Sequence, residues 1–154
     1  FNNYKAKCAI GKRGIGYKRK EGDLITPKGK YKIKYILYRK DRVKKVQSKI
    51  KKIIIKKNMG WCNDPKSPKY NKLIKIHKKV DFSYEKMFRR DYKYDLLIPI
   101  FYNYYRPIKN SGSAIFIHLT KNYSPTVGCI GLTEKDFKIL IKVMEKNSKI
   151  VISN

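Results

Sequence analysis

Only one stretch of the chain has the apolar spacing of an amphipathic helix, and it covers residues 133 to about 147. Its apolar side chains recur at intervals of three and four residues and share one helix face: Phe137, Leu140, Ile141 and Met144. Thr133 stands at the N-cap position, and Asp136 three residues later completes a capping-box-like pattern. Because the other apolar segments are short or alternating, strands must supply the rest of the core.

The remaining apolar segments have the length and alternation of strands. Strands are predicted at residues 4–11, 30–40, 48–57, 94–105, 113–119 and 148–153. Pro99 interrupts one of them and predicts a bulge or an edge position. Residues 12–29 and 58–71 predict loops, and residues 83–91 predict a short helix. The predicted fold class is mostly β with one main helix, arranged as a mixed sheet or a β-sandwich-like structure.

The length of 154 residues fits one domain that spans residues 1–154. The net charge of +28 comes from 39 Lys and Arg against 11 Asp and Glu. It has three interpretations: nucleic-acid binding, attraction to another polyanion such as a membrane surface or an acidic cell wall, and compositional drift. The lysines are scattered over almost the whole chain, which counts against a dedicated nucleic-acid patch. No apolar run approaches the ~20 residues that a membrane span needs.

The three cysteines, Cys8, Cys62 and Cys129, match no CxxC metal site, and the chain has only two histidines. The odd number leaves at least one thiol free. A disulfide between Cys8 and Cys62 stays open as an alternative if the protein is exported.

His118 ends a predicted strand, and Cys129 follows it across a loop. An imidazole can take the proton of a nearby thiol and leave the nucleophilic thiolate. Gly128 gives the backbone freedom to turn the thiol toward a cleft and amides toward an oxyanion. The N-terminus of the predicted helix and nearby lysines are expected to favour the thiolate further. The alternative is structural, because a free cysteine is often a small core residue.

The segments IFIHLT and TVGCIGL resemble the catalytic signature of the L,D-transpeptidase (YkuD-type) domain family. That signature has a histidine at a strand end, then Ser or Thr, any residue, Gly, Cys and an apolar residue. The segment TPKGKY resembles a second element of the family, and GWCNDP, with Tyr70 and Asn71, and FRRDYKYD resemble a bacterial subgroup. The motifs occur in the family's order and extend from about Cys8 to Val143.

The resemblance implies a cysteine acyltransferase that cross-links peptidoglycan stem peptides. Cys129 would attack the carbonyl of the third residue of a tetrapeptide donor, D-alanine would leave, and an acceptor amine would resolve the thioester. His118 would be the base, and Gly128 with the Cys129 amide would form the oxyanion hole, without any metal or cofactor. Water in place of the amine would give L,D-carboxypeptidase activity. The implied location is the periplasm or cell envelope, with any export signal outside these residues.

One departure from the family affects substrate binding. Many members have Arg or Asn two residues after the cysteine, where this chain has Gly131. Arg89 or Arg106 is therefore expected to hold a substrate carboxylate. Thr126 is expected to shape the turn or to hydrogen-bond near the site.

Four further residues are predicted to contact the substrate, and each has a structural alternative. Trp61 is expected to line a cleft or to anchor packing. Asp64 is expected to bind the donor's amine or to make an ordinary turn before proline. Tyr102 and Asn103 are expected to face the cleft or to end a strand.

Other function classes fit less well. Sortases need an arginine after the cysteine, and none follows Cys129, while papain-like peptidases place cysteine before histidine. A non-enzymatic polybasic nucleic-acid-binding module remains as the alternative, although no specific nucleic acid is predicted. The expected partners are stem peptides, anionic cell-envelope polymers and carbapenem-type inhibitors.

Overall fold

The computed structural model describes residues 3–154. Its strands are β1 (Ile15–Gly16), β2 (Thr26–Pro27), β3 (Gly29–Lys32), β4 (Tyr35–Tyr38), β5 (Lys51–Ile54), β6 (Met59–Cys62), β7 (Leu73–Lys75), β8 (Tyr84–Lys86), β9 (Leu96–Pro99), β10 (Phe116–Leu119), β11 (Ile130–Leu132) and β12 (Lys149–Ile152). The helix of the described residues is α1 (Glu134–Val143). The predicted fold class, mostly β with one main helix, is confirmed.

A five-stranded mixed sheet forms the centre of the structure, in the order β11-β10-β9-β4-β5. The middle strand β9 pairs antiparallel with both β10 and β4, whereas the outer strands β11 and β5 pair parallel with their neighbours. A three-stranded antiparallel sheet has the order β7-β6-β8. Two small sheets join β12 to β3 and β1 to β2.

Side chains alternate across the central sheet and build an apolar cluster on each face. On one face, Ile117 of β10 belongs to the cluster that contains Phe137 of α1, which is fully buried. On the other face, Phe116 packs edge-on against Trp61 of β6, with ring centroids 5.1 Å apart. The central sheet therefore lies between the helix and the three-stranded sheet. Residues 116 and 118 of β10 both face the three-stranded sheet.

The helix begins as its sequence predicts and ends earlier. Thr133 Oγ1 accepts a hydrogen bond from the Asp136 N–H at 3.2 Å, which confirms the predicted N-cap. The last helical residue is Val143 rather than about residue 147, because Met144 has an extended backbone with φ −69° and ψ 140°. Among residues 3–154, no helix has the length and apolar character that crossing a membrane requires.

The predicted helix at residues 83–91 is wrong. This segment contains β8, which pairs antiparallel with β6, and Met87 follows it into the core. A helix so short is marginal without partners, whereas pairing with β6 satisfies the backbone groups of the segment and buries an apolar side chain.

The predicted loop at residues 58–71 contains the buried strand β6. Gly60 makes this strand hard to predict, because glycine is depleted in strands. A Cβ atom at Gly60 would lie 2.7 Å from the ring of Tyr84, so glycine is what allows β8 to approach β6. The predicted loop at residues 12–29 likewise contains the two-residue strands β1 and β2.

Three other strand predictions need correction. Residues 4–11 form isolated bridges rather than a strand, the first between Ala9 and Gly131. Residues 30–40 divide into β3 and β4, which belong to different sheets. Pro99 ends a central strand instead of lying on an edge, and it is tolerated because β9 pairs with β4 through Leu96 and Leu97. The segments 48–57, 94–105, 113–119 and 148–153 contain β5, β9, β10 and β12 as predicted.

Candidate active site

Cys129 lies directly before β11, in a register that places Gly131 of β11 opposite His118 of β10. Its sulfur accepts a hydrogen bond from the Phe116 N–H and donates one to the Ala114 carbonyl, each at 3.4 Å. The thiol is therefore held beside the start of β10, on the strand that carries the histidine.

The parallel register sets the backbone offset between Cys129 and His118, because Gly131 lies opposite His118. Neighbouring strands lie about 4.8 Å apart and rise about 3.3 Å per residue, so an offset of two residues separates the Cα atoms by roughly 8 Å. Both side chains line one pocket of about 460 Å³. Proton transfer between the two requires the thiol and the imidazole to come within about 3 Å of each other.

The imidazole of His118 is buried and fixed by its own strand. Its Nδ1 lies 2.9 Å from the Leu119 carbonyl oxygen. A carbonyl can only accept, so Nδ1 carries the proton and Nε2 keeps its lone pair. Burial lowers the pKa of His118, which keeps the ring neutral near pH 7. The group that orients this histidine is therefore a backbone carbonyl.

The resting thiol of Cys129 is protonated. Burial and the negative charge of Glu85 raise its pKa to about 12, although the Phe116 N–H and the Lys18 and Arg89 charges act in the opposite direction. The Lys18 charge favours the thiolate, as predicted for nearby lysines, but burial outweighs it. A base that takes the thiol proton is therefore required for a thiolate to form near pH 7.

Thr126 and Gly128 build the turn that carries the thiol. Thr126 Oγ1 donates to the Cys129 carbonyl at 2.6 Å and accepts the Gly128 N–H at 3.1 Å. Gly128 has φ 149°, and a Cβ atom there would lie 2.9 Å from the Ile25 carbonyl oxygen. Because Thr126 already holds the Gly128 amide, the Cys129 amide is the better placed of the two to meet an oxyanion.

A buried ion pair supports this turn from behind. Lys18 Nζ donates to Asp23 Oδ1 at 2.5 Å and to the Ile25 carbonyl at 3.1 Å. The two charged side chains are only 2% and 3% exposed. The ion pair therefore fixes the backbone group against which Gly128 packs.

Arg89 lines the pocket, as predicted for a substrate contact, but its guanidinium is already engaged. Its Nη2 donates to Asp91 at 2.5 Å, its Nη1 lies 3.8 Å from Glu85, and its Cζ lies 4.7 Å from the centre of the Tyr94 ring. The hydrogen bond to Asp91 is the main reason that the pKa of Arg89 is raised. A substrate carboxylate would share this cation with Asp91.

Trp61 is only 1% exposed and does not line the pocket. Its Nε1–H donates to Asn71 Oδ1 at 2.8 Å, and the same oxygen accepts the Ala114 N–H at 3.0 Å. Asn71 Nδ2 donates in turn to the Tyr102 and Asn103 carbonyls. Trp61 and Asn71 thus support the residue whose carbonyl contacts the Cys129 sulfur.

The other predicted substrate contacts lie outside the pocket lining. The Asp64 carboxylate accepts the N–H groups of Lys66 and Ser83, which is turn chemistry. The Tyr102 hydroxyl donates to the Ser111 carbonyl at 2.6 Å. Asn103 organises the loop that follows β9, with its amide bonded to the Ile108 and Gly112 carbonyls.

Two glutamates that the sequence interpretation did not single out also line the pocket, Glu21 and Glu85. The Tyr70 hydroxyl donates to Glu21, and the Tyr94 hydroxyl donates to Glu85. Burial raises the pKa of Glu85, and the charge of Glu21 adds to that effect. The sequence signal that could have found these glutamates is the scarcity of acidic residues, since the chain has only 11 against 39 basic ones.

All three cysteines are free thiols, so Cys8 and Cys62 are not paired. Cys8 is exposed, whereas Cys62 is fully buried in β6. In the part of the chain that the structure describes, no group of three His, Cys, Asp or Glu side chains could hold a metal ion.

The sequence profile of the YkuD family, described as the L,D-transpeptidase catalytic domain, matches residues 2–152. No curated protein and no solved structure matches the chain. The profile covers nearly the whole sequence, and the observed strands and single helix agree with that fold. This chain belongs to the L,D-transpeptidase (YkuD) catalytic-domain family.

Proposed function

We propose that this chain is a cysteine acyltransferase of peptidoglycan stem peptides, in which residues 1–154 act as one catalytic domain. Family membership supports a peptidoglycan substrate and a place in the cell envelope. One observation carries the chemical proposal. The Leu119 carbonyl fixes the His118 proton on Nδ1, so a free imidazole lone pair is available in the pocket that Cys129 also lines.

In the acylation step, His118 Nε2 takes the proton from Cys129 while the sulfur bonds to the carbonyl carbon of the donor's third residue. The negative charge that develops on the carbonyl oxygen is stabilised by the Cys129 amide and the turn around Gly128. The tetrahedral intermediate then collapses, Nε2 returns its proton to the leaving amine, and D-alanine departs. The product is a thioester between Cys129 and the shortened peptide.

The second step repeats this chemistry with a new nucleophile. An acceptor amine attacks the thioester carbon and gives its proton to His118 Nε2, which passes it to the departing Cys129 sulfur. Water in the same role gives the carboxypeptidase outcome. Thr126 and Arg89 are the proposed substrate contacts within the pocket. Trp61 does not line the pocket, and its proposed role is to support the pocket through its hydrogen bond to Asn71. Substrate contacts of Asp64, Tyr102 and Asn103 would require parts of the peptide outside this pocket.

Intact-mass analysis after incubation with a carbapenem or a tetrapeptide tests the proposal. We expect an acyl adduct on the wild-type protein and none on Cys129→Ala. Cys8→Ser is the matched control, because it removes an exposed thiol that does not line the pocket and should leave the adduct unchanged. An adduct that persists in Cys129→Ala, or no adduct on the wild type with either reagent, would refute the assignment.

The charge of +28 supports a second ligand class, anionic cell-envelope polymers. Attraction to a polyanion would concentrate the enzyme near its substrate and should weaken with salt. Salt-insensitive binding to wall fragments would contradict this idea. The alternative of a nucleic-acid-binding module predicts steeply salt-dependent DNA affinity as the main activity, unchanged in Cys129→Ala and without any acyl adduct.

A further inference from the structure

One face of the structure is built from two segments that contain no acidic residue. Residues 24–40 and 96–133 include neither Asp nor Glu. The first segment contains β3, and the second contains the loop between β9 and β10. The two are joined where the Phe101 N–H donates to the Lys32 carbonyl at 3.2 Å. Positive charge on these segments is therefore not offset by carboxylates of the same segments.

Four aromatic rings cluster at this junction, those of Tyr35, Phe101, Tyr104 and Tyr105. Phe101 stacks on Tyr104 with ring centroids 4.1 Å apart, and Tyr105 meets these two rings edge-on at 5.9 and 5.4 Å. Tyr35 meets Phe101 edge-on at 6.0 Å. Phe101 is buried, whereas Tyr105 is 54% exposed. The cluster, called here the Tyr105 platform, therefore has a buried base and one accessible ring.

Two lysines lie beside the accessible ring. The ammonium groups of Lys32 and Lys34 are 5.6 and 5.3 Å from the Tyr105 centroid. Both side chains are exposed, and neither pairs with a carboxylate among residues 3–154. Contacts of exposed lysines with aromatic rings are weak, so both ammonium groups remain available to an anion.

One carboxylate approaches the far end of the same loop. The Glu21 N–H donates to the Asn110 carbonyl at 3.0 Å, and the Glu21 carboxylate accepts the Tyr70 hydroxyl. Glu21 lines the pocket of Cys129, whereas no residue of the Tyr105 platform does. Glu21 therefore belongs to the other site and leaves the lysines of the platform unpaired.

The loop that presents Tyr105 is held from within and from behind. The Asn103 amide donates to the Ile108 and Gly112 carbonyls, and its oxygen accepts the Ile108 N–H at 2.8 Å. Asn71 Nδ2 donates to the Asn103 carbonyl at 2.7 Å. A loop fixed in this way loses little conformational freedom when a ligand binds, so the exposed ring is preorganised.

The platform fits a ligand whose negative charge lies directly beside a stacking group. The C–H groups of a sugar ring carry partial positive charge and complement the negative face of an aromatic ring. In a uronate the carboxylate is bonded to the sugar ring itself, which matches an ammonium group 5.3 Å from the Tyr105 centroid. In a single-stranded nucleic acid a sugar separates the phosphate from the stacking base, which places the charge farther away.

We propose that the Tyr105 platform, with Lys32 and Lys34, binds an acidic polysaccharide whose sugar rings carry carboxylates. The proposal rests on the attraction to anionic envelope polymers proposed above, and it gives that attraction one location and one ligand chemistry. Because the platform does not line the pocket, a bound polymer would hold the protein while the pocket stays open to its substrate.

The test measures binding of a hexameric oligouronate by calorimetry in about 0.15 M salt, which screens the diffuse attraction of a protein of charge +28. We expect it to bind at least about tenfold more tightly than an uncharged hexasaccharide of the same linkage or a single-stranded DNA hexamer. Tyr105→Leu should weaken binding about tenfold, because leucine is apolar but has no ring face, whereas Tyr105→Phe should keep the affinity. Lys32→Gln/Lys34→Gln should weaken binding by a similar factor.

Two variants are the matched controls, Tyr17→Leu and Lys142→Gln/Lys146→Gln. Tyr17 is 77% exposed and forms no aromatic pair in the part of the chain that the structure describes, and the two lysines are exposed at and after the end of α1. Both variants should keep the wild-type affinity. Four outcomes would overturn the proposal: no binding of the oligouronate, equal or tighter binding of the neutral sugar or the DNA, an affinity that survives in Tyr105→Leu, or equal losses in the controls.

The two proposals fail separately. The platform variants should form the same acyl adduct as the wild type, since none of their changes lies in the pocket lining. An acyl adduct without platform-dependent binding refutes the platform, and platform-dependent binding without an adduct refutes the acyltransferase assignment. Losses that the lysine controls share would leave only a diffuse attraction to polyanions.

Discussion

The side-chain oxygen of Asn71 accepts the backbone N–H of Ala114 at 3.0 Å. Ala114 has φ 55°, a left-handed conformation that costs a non-glycine residue free energy unless its surroundings hold it. The Ala114 carbonyl in turn contacts the Cys129 sulfur at 3.4 Å. A buried amide thus holds a strained residue, and the strained residue holds the thiol.

We expect Asn71→Ala to slow acylation of Cys129 by about tenfold or more, because a shift of the thiol from its attack position is costly. The free energy of unfolding should fall by about 2–4 kcal/mol, because the Trp61 and Ala114 N–H groups would lose a buried acceptor. Acylation kinetics and denaturant unfolding measure the two effects.

Ala114→Gly serves as the companion variant. Because glycine adopts the left-handed conformation without cost, this change should restore part of the stability that Asn71→Ala loses. Wild-type acylation rates in a folded Asn71→Ala protein would contradict the relationship.

Replacement of Gly128 tests the turn itself. We expect Gly128→Ala to reduce acylation by about 100-fold, because its Cβ atom would lie 2.9 Å from the Ile25 carbonyl and displace the thiol. Gly14→Ala is the matched control, since Gly14 also has a positive φ, of 82°, but has open space around it. The control should lose some stability and keep its acylation rate. If both variants acylate alike, close packing behind Gly128 is not what positions the cysteine.

The pH dependence of alkylation reports the state of the thiol. In a Cys8→Ser background, the reaction of Cys129 with iodoacetamide should accelerate about tenfold per pH unit between pH 8 and pH 10, because a thiol whose pKa is raised to about 12 is still almost wholly protonated there. Glu85→Gln removes a negative charge that disfavours the thiolate, so it should lower the pKa of Cys129 and speed alkylation several-fold at pH 8. Glu145→Gln, which removes an exposed carboxylate, is the control and should leave the alkylation rate unchanged. A rate that levels off by pH 8 would show that the thiolate is already formed.

The buried ion pair of Lys18 and Asp23 should make the free energy of unfolding depend on pH in the acid range. Burial alone would raise the pKa of Asp23, but hydrogen bonds from Lys18 and from the N–H groups of Arg19 and Ile25 lower it to about 2. A lowered pKa stabilises the fold above the unfolded-state value of about 4, and this contribution is lost as the pH falls from about 4 to about 2.

We therefore expect Asp23→Asn to lower the free energy of unfolding at pH 7 by about 3 kcal/mol, because it leaves Lys18 buried without a counter-charge. The difference from wild type should narrow as the pH falls from 4 toward 2. Glu145→Gln, which breaks an exposed pair, should change stability by no more than about 0.5 kcal/mol. Urea unfolding across this pH range makes the comparison, and a constant difference between the two proteins would contradict it.

Local patterns made part of this structure predictable from the sequence. The N-cap at Thr133 and the apolar stripe of α1 depend on residues within one helix, and both are observed. The segments around β9 and β10 are apolar enough to be buried wherever they pair. His118 and Cys129 could be placed near one another because a short loop joins their strands.

Features that depend on distant partners could not be predicted in the same way. The strand β6 contains Gly60, and its burial follows from contact with Tyr84 on β8. The segment around β8 looks helical until β6 is present to pair with it. Glu85 enters the pocket only because that pairing sets the position of β8, so its role beside Cys129 has no local sequence signature.

The pairing of β10 with β11 makes the offset between Cys129 and His118 independent of the loop that joins the two strands. Because backbone pairing sets the offset of sulfur from imidazole, the intervening segment can change its length or composition at its tip without altering that offset. Its residues Asn122, Ser124 and Pro125 form part of the pocket rim. Substitutions at this tip can therefore reshape the pocket rim while the backbone offset between Cys129 and His118 is kept.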